Sequence, residues 1–244
     1  MALVTGASGT LGGMISQGLA TFGADLILAG RNQEKLNASV KAVEKFGGRN
    51  LVLEADLSNP SGIDSLLAKV LDAFGRIDIL VNAHGINIRK PTDSMTIEEW
   101  EKVLDTNLKS VFLSCQAIGK EMIKRKSGKI VSVSSLAGRL GYDKGYSAYG
   151  PSKAAVDALT RVLAAEWGKY NINVNAISPY FIRTPLTANV LRDKEFYDWV
   201  LRGVPMNRLG VPEDIVGAVV FLCSRASDWV NGQIIYIDGG RSIT

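Results

Sequence analysis

Met1-Ala2-Leu3-Val4-Thr5 runs directly into Gly6-Ala7-Ser8-Gly9-Thr10-Leu11-Gly12-Gly13, and an apolar helical periodicity follows through Leu19, Ala20 and Phe22. An apolar run of strand length, a glycine-rich turn and a helix, in that order, open a βαβ unit. Glycines let a ligand approach the backbone closely. The free amides and the dipole at a helix start favour a diphosphate. Many glycine runs are only tight turns, but this one closes a strand and opens a helix, which favours dinucleotide binding.

The alternation continues along the chain. Asp25 to Ala29, Asn50 to Ala55, Ile77 to Val81, Gly128 to Val133, Ile172 to Ile177 and Gln233 to Ile237 read as strands. Lys35 to Phe46, Ile63 to Phe74, Thr96 to Arg125, Ser147 to Trp167 and Pro212 to Cys223 carry helical periodicity between them. Strands alternating with helices predict an α/β fold: a doubly wound parallel sheet of about seven strands with helices on both faces. No repeat or linker interrupts it, so residues 1–244 are expected to form one domain.

The bulk numbers narrow the function classes. Lys plus Arg number 28 against 24 Asp plus Glu, a net charge of +4 with no arginine-rich tract, so nucleic acid is not an expected partner. No apolar run reaches the length of a membrane span, and no signal-peptide pattern opens the chain. Cys115 and Cys223 lie far apart in apolar helical patterns and read as free thiols of a reducing compartment, hence a cytoplasmic protein. The single histidine, His84, rules out a multi-histidine metal site, and no metal is expected.

Two further positions bear on the ligand. An acidic residue at the end of the second strand would bind the ribose hydroxyls of NAD, whereas an arginine accommodates the 2′-phosphate of NADP. The strand ends Ala29-Gly30-Arg31-Asn32, so NADP(H) is favoured over NAD(H). Asp56, after the third strand, is a candidate for the adenine edge, against an ordinary turn role. In Ser147-Ala148-Tyr149-Gly150-Pro151-Ser152-Lys153 a phenol and an ammonium stand at i and i+4 on one helix face. A cation ~4 Å from the phenol, at an effective dielectric of ~20, is worth roughly 4 kcal/mol, or about 3 pK units. Such a shift would bring tyrosine into range for general acid/base work.

These residues together resemble the short-chain dehydrogenase/reductase family over essentially the whole chain. The supports are Thr5-Gly6 through Gly12, Asp56-Leu57, Leu80-Val81-Asn82-Ala83-His84-Gly85, Asn107, Ser135, Tyr149 with Lys153, and Asp238-Gly239-Gly240. The resemblance implies a Rossmann-type sheet and NAD(P)-dependent hydride transfer. It makes Tyr149 the acid/base, Lys153 the group that lowers its pKa and holds the nicotinamide ribose, Ser135 the donor to the reacting oxygen and Asn107 the anchor of a proton relay. Ser134 competes with Ser135, because the serine stands one residue further from Tyr149 than the family's habit; an inserted residue in the 138–145 loop would account for it. The implied cofactor set is Gly6, Ser8, Thr10, Leu11, Gly12, Arg31, Asp56, Leu57, Asn82, Gly85, Tyr149, Lys153, Pro179, Ile182 and Thr184.

Several departures are visible. Thr10 replaces a glycine of the phosphate turn, and Asn82-Ala83-His84-Gly85 replaces Asn-Asn-Ala-Gly. Tyr180 follows Pro179 where glycine is usual. Gly85-Ile86-Asn87-Ile88-Arg89-Lys90-Pro91 and Glu166-Trp167-Gly168-Lys169-Tyr170 look like gluconate 5-dehydrogenases and similar sugar-acid reductases. A sugar acid would want a guanidinium for its carboxylate, and Arg89 and Arg139 are the candidates, with Tyr180 beside them. Residues 185–208 read as a lid over the cofactor. The alternatives are the same chemistry on a 3-oxoacyl thioester or a cyclic ketone, and, from another class, a non-catalytic dinucleotide-binding regulatory protein. The family resemblance also implies a homotetramer.

Overall fold

The computed structural model describes the backbone of residues 1–244 and every side chain except those of Leu186 and Val190. Seven strands, β1 (Ala2–Thr5), β2 (Leu26–Gly30), β3 (Asn50–Glu54), β4 (Ile79–Asn82), β5 (Gly128–Val133), β6 (Ile172–Pro179) and β7 (Ile234–Ile237), form one sheet in the order β3-β2-β1-β4-β5-β6-β7. Every pairing is parallel. The central strands are apolar without interruption because both faces are covered, as parallel sheets require.

Successive residues of a strand point to opposite faces, and the core splits accordingly. Leu3, Ile27, Leu80, Ile130 and Val174 face one layer, formed by α3 (Pro60–Phe74), α5 (Ser110–Arg125) and α6 (Tyr149–Trp167) through Leu66, Val70, Ile118, Met122 and Leu163. Val4, Leu28, Val81, Val131 and Ile177 face the other, formed by α1 (Thr10–Thr21), α2 (Gln33–Glu44) and α9 (Val216–Cys223) through Ile15, Leu19, Val43, Val219 and Leu222. The registers Leu3↔Ile27 and Leu80↔Ile130 keep each set on its own face. The strand order reverses between β1 and β4, and the crevice beyond their carboxyl ends is where such sheets bind ligands.

Three expectations change. The periodicity from Thr96 to Arg125 is not one helix: α4 (Ile97–Leu104) passes into a π-turn at Asp105–Lys109 before α5 begins. A π-turn inserts one residue without breaking the apolar stripe, so sequence pattern does not reveal it. The expected helix from Ser147 starts at Tyr149, with Pro151 accommodated in its first turn. Pro212–Ile215 is a 3₁₀ turn that leads into α9. Residues 185–208 hold two short helices, α7 (Pro185–Ala188) and α8 (Lys194–Leu201), whose Phe196 and Val200 close a small apolar cluster with Tyr180, Phe181 and Trp199. No helix among the described residues is long and apolar enough to cross a membrane.

Candidate active site

The turn between β1 and α1 has the form of a phosphate cradle. Gly6 adopts φ +68°, and a Cβ there would lie 2.7 Å from both Cα and N of His84, so only glycine fits. Gly9 takes the extended N-cap position, with φ −91° and ψ 162°, and no side chain caps the helix. No acidic residue occupies its first turn. The leading amides of α1 are thus unclaimed by side chains, with the positive end of the dipole behind them. Thr10 is the first residue of α1 and leaves the turn intact. The Ser8 side chain lies against Gly30, whose missing Cβ would stand 2.9 Å from Ser8 Oγ. Leu11 and Gly12 complete the turn from within α1.

Arg31 is exposed immediately after β2. Asp56 is mainly a turn-former: it accepts from Ser58 N at 3.0 Å, Ser58 Oγ at 2.8 Å and Asn59 Nδ2 at 3.3 Å. Its carboxyl is held below the usual range chiefly by the Ser58 backbone bond, with the Arg31 charge a smaller contribution. Leu57 is buried in the α3–α5 layer. Asn82 Nδ2 turns inward to Cys115 Sγ and Ser132 Oγ, both at 3.4 Å, while its Oδ1 is buried without a partner.

Asn107 sits within the π-turn and is fully buried. Its Oδ1 accepts from Ile86 N at 2.8 Å, and its Nδ2 donates to Ile86 O at 2.9 Å and to Ser152 Oγ at 3.0 Å. One amide therefore joins the loop after β4, the α4–α5 junction and α6. Gly85 is wedged between this amide and Lys153: a Cβ there would lie 3.2 Å from Asn107 Oδ1 and 3.4 Å from Lys153 Nζ.

The His84 ring makes two short contacts. Nδ1 lies 2.7 Å from Thr5 Oγ1 and Nε2 lies 2.6 Å from Ser110 Oγ. The ring ties the end of β1 to the first residue of α5, directly after the π-turn that carries Asn107. Burial, then the Lys153 and Arg31 charges, lower its pKa to about 3. The imidazole is neutral across the physiological range.

Tyr149 and Lys153 both face the interior at the start of α6. Lys153 is buried and donates from Nζ to Val133 O at 2.7 Å. Burial lowers its pKa to about 8 against a smaller opposing effect of Asp157. Burial also raises the Tyr149 phenol, with the Ser135 hydroxyl the opposing hydrogen bond. This corrects the expectation that the lysine alone brings the phenol down. The ammonium lies 5.7 Å from the ring centroid, and desolvation outweighs the attraction in these residues by themselves. The two serines separate cleanly. Ser134 Oγ donates to Lys153 O at 3.2 Å and is buried, whereas Ser135 is the hydroxyl beside Tyr149.

Pro179 closes β6, Ile182 bridges to Gly210, and Thr184 caps α7 by accepting from Thr187 N at 3.3 Å. Arg89 is already engaged: its guanidinium stacks 4.4 Å from the Phe196 ring centroid and its Nε donates to Lys144 O at 3.3 Å. Arg139 lies over Tyr236 at 4.9 Å and lines a cavity of about 560 Å³ with Tyr142, Tyr146 and Gly150. Tyr180 donates from its hydroxyl to Val200 O in α8 at 3.1 Å. Sequence reading missed the aromatic chain that walls the site. Tyr146 lies 6.0 Å from Tyr149, Tyr142 lies 5.4 Å from Tyr146, and Tyr180 and Trp199 stand 6.2 Å and 5.5 Å from Tyr142. The density of tyrosines between Tyr142 and Tyr149 was the available signal.

A glycine cradle at the switch point of a doubly wound sheet, facing half-buried Ser135 and Tyr149, buried Lys153 and an asparagine clamp, defines an NAD(P)-dependent oxidoreductase. Comparison with known proteins agrees. A family model described as enoyl-(acyl carrier protein) reductase matches residues 6–242. Gluconate 5-dehydrogenase of Gluconobacter oxydans is 37% identical over 243 residues, covering 100% of this chain and 94% of that protein. The 2-dehydro-3-deoxy-D-gluconate 5-dehydrogenase of Dickeya dadantii is 39% identical, covering 98% and 94%. A crystal structure of a gluconate 5-dehydrogenase from Burkholderia cenocepacia in complex with NADP and tartrate superposes with a TM-score of 0.95 at 32% identity, covering 100% of this chain and 95% of that one. The chain belongs to the short-chain dehydrogenase/reductase family.

Two measurements check the electrostatics. The chain has one histidine, so its ring ¹⁵N resonances in a selectively labelled sample report His84 alone; they should stay those of a neutral imidazole from pH 8 down to pH 5. Titration near pH 6.5 would show that the ring is open to solvent. For Lys153, the folded pKa lies below its ordinary 10.5, so its buried charge costs stability below about pH 8. That cost fades as the pH rises toward the unfolded value. Lys153→Met should therefore melt above the wild type at pH 7, with the advantage shrinking toward pH 10, while turnover collapses.

Proposed function

We propose that this protein interconverts a secondary alcohol and a ketone on a sugar acid of the gluconate/5-ketogluconate type, with NADP(H) preferred to NAD(H). The observation that carries the reading is the Ser135–Tyr149–Lys153 group, its lysine buried, beside the Asn107 clamp, in a chain whose full-length relatives are named for gluconate. The cofactor preference rests on exposed Arg31 at the end of β2 with no acidic residue in that turn. The relative crystallised with NADP supports it.

The residues present fit a dinucleotide. The uncapped start of α1, with Gly6, Ser8, Thr10, Leu11 and Gly12, suits the diphosphate. Arg31 and the Asp56–Leu57 turn suit the adenosine end, and Asn82 and Gly85 line the floor of the crevice through their backbone. Pro179, Ile182 and Thr184 border the nicotinamide end. When bound, the nicotinamide supplies hydride to the ketone or takes it from the alcohol. Ser135 donates a hydrogen bond to the reacting oxygen, where negative charge grows as the carbonyl is reduced. Tyr149 gives that oxygen its proton in reduction and removes it in oxidation. Lys153, charged at neutral pH but near its titration point, returns a proton to the phenol. Asn107 keeps the Ile86 carbonyl in place at the far end of that relay. Residues 185–208 act as the lid, hinged on the Tyr180–Val200 bond. Arg89, fixed on Phe196, places positive charge at the rim and steers an anionic substrate.

The whole chain works as a single catalytic domain in this reading. We place the protein in the cytoplasm as a homotetramer, consistent with its buried free thiols Cys115 and Cys223 and with exposed Trp229, Phe221 and Phe112. A 3-oxoacyl thioester remains the second reading, favoured by the acyl-carrier description of the matching family model.

Tyr149→Phe should lower kcat on 5-ketogluconate by roughly 10²–10⁴-fold and leave NADPH affinity within a few-fold of wild type. Undiminished turnover would remove Tyr149 from the chemistry. Parallel titrations should give NADPH at least about tenfold tighter binding than NADH, worth roughly 1.4 kcal/mol, and Arg31→Ala should erase the difference. Turnover of acyl thioesters alone would replace the sugar-acid reading.

A further inference from the structure

Among the described residues, the aromatic wall and the C-terminal turn beside it each hold a buried donor without a partner. The Tyr142 hydroxyl is buried and has no hydrogen-bond partner, and neither has the Nε–H of Arg241. The Tyr142 ring is enclosed by Tyr146, Tyr180 and Trp199, which places it between the catalytic tyrosine and the lid. Arg241 comes from the C-terminal turn. It follows the glycine turn after β7, and its Nη1 packs against Gly203 at the end of the lid helix, 3.2 Å from where a Cβ would be. The guanidinium and the Tyr142 and Tyr180 phenols all feel one another's charge.

The acceptors nearby are already taken. The Asp238 carboxylate accepts from Gly240 N at 3.0 Å and Ser242 N at 2.7 Å, and the described ion pairs include none for Arg241. The Tyr180 hydroxyl donates to Val200 O and lies within hydrogen-bonding reach of the guanidinium, whose Nη1 donates to Thr244 O at 3.3 Å and Thr244 Oγ1 at 3.2 Å, so Nε is the group left over. Burial raises Tyr142 above its usual pKa, so the phenol remains a donor at neutral pH. Leaving buried donors unpaired is costly. A ligand bringing two acceptor oxygens to this corner recovers that cost, and with a positive charge present the matching group is a carboxylate.

We propose that Arg241 and Tyr142 form the carboxylate-binding end of the substrate site, gripping the acid group of a hydroxy or keto acid while its other end reaches Tyr149. This rests on the sugar-acid reading above and names the residues that enforce it. Arg241 touches the substrate in this assignment, whereas Arg89, stacked on Phe196, only adds charge at the rim. Since Arg241 also borders Gly203, filling the corner would tie the lid to the C-terminal turn through the ligand itself.

The test uses the full-length protein loaded with NADPH and titrates gluconate calorimetrically, a pair that cannot react. Arg241→Gln and Tyr142→Phe should each weaken gluconate at least about tenfold, with NADPH affinity held within about twofold. In steady state they should raise KM for 5-ketogluconate by a similar factor and keep kcat within about threefold. Arg241→Lys should recover part of the loss, and Arg89→Ala should weaken gluconate less than either. If Arg241→Gln fails to fold, Tyr142→Phe, which removes one hydroxyl, decides alone. Wild-type gluconate affinity in the variants overturns this assignment and leaves the sugar-acid reading standing. A fall in kcat and NADPH affinity along with KM also overturns it, as general damage to the site. A wild-type protein that neither binds nor turns over any hydroxy or keto acid overturns both.

Discussion

The amide of Asn107 is the constraint on which the site depends. It bonds both backbone groups of Ile86 and the hydroxyl of Ser152, so the loop after β4 and the first turn of α6 are set by one side chain. A standard helical register through residues 105–109 would rotate the asparagine away. The π-turn supplies the extra residue that aims it inward. His84 secures the next residue along, Ser110, to the end of β1. The helix that carries the clamp is thereby braced against the strand that carries the phosphate turn. The cofactor cradle and the proton-handling residues are parts of one packed unit rather than neighbours by accident.

Burial governs the charges in that unit. His84, Lys153 and Tyr149 all lose water, and each is pushed toward its neutral form. The histidine goes so far that it becomes a fixed strut. The lysine stops at about 8, where the Asp157 charge opposes the effect of burial. The phenol is raised, so the protein alone does not hold it ready. A site tuned this way responds strongly to any added polar group, since in a low dielectric each new hydrogen bond or charge weighs more. The same principle explains the unpaired donors of Tyr142 and Arg241, which cost stability until an acceptor arrives.

The proposed sugar-acid substrate would meet a wall of matching chemistry. The wall beyond Tyr149 is aromatic and its charges are cationic: Arg89 over Phe196, Lys144 over Trp199 and Arg241 at the C-terminal turn. Flat rings suit the C–H faces of a polyol, and fixed guanidinium groups suit its carboxylate. The loop from Gly138 to Gly145 contributes Tyr142 to this wall, which gives the longer spacing between Ser135 and Tyr149 a use.

The amino-acid sequence by itself determined the sheet, its helices and the residues that meet in the crevice. Period-two and period-3.6 patterns, the glycine turn and the Tyr149–Lys153 spacing are local properties, legible from neighbours in the chain. Strand boundaries fell within a residue or two, and Ser135, Tyr149, Lys153 and Asn107 did come together. Tertiary structure alone decided the rest. It broke the helix at Asp105–Lys109, turned the Asn82 amide nitrogen inward, engaged Ser134 and the Tyr180 hydroxyl with backbone carbonyls, stacked Arg89 on Phe196, and left Arg241 Nε buried without a partner. Each of those outcomes depends on which donor meets which acceptor across many residues of sequence, and on how much water is removed when they meet. Neither quantity exists until the chain has folded.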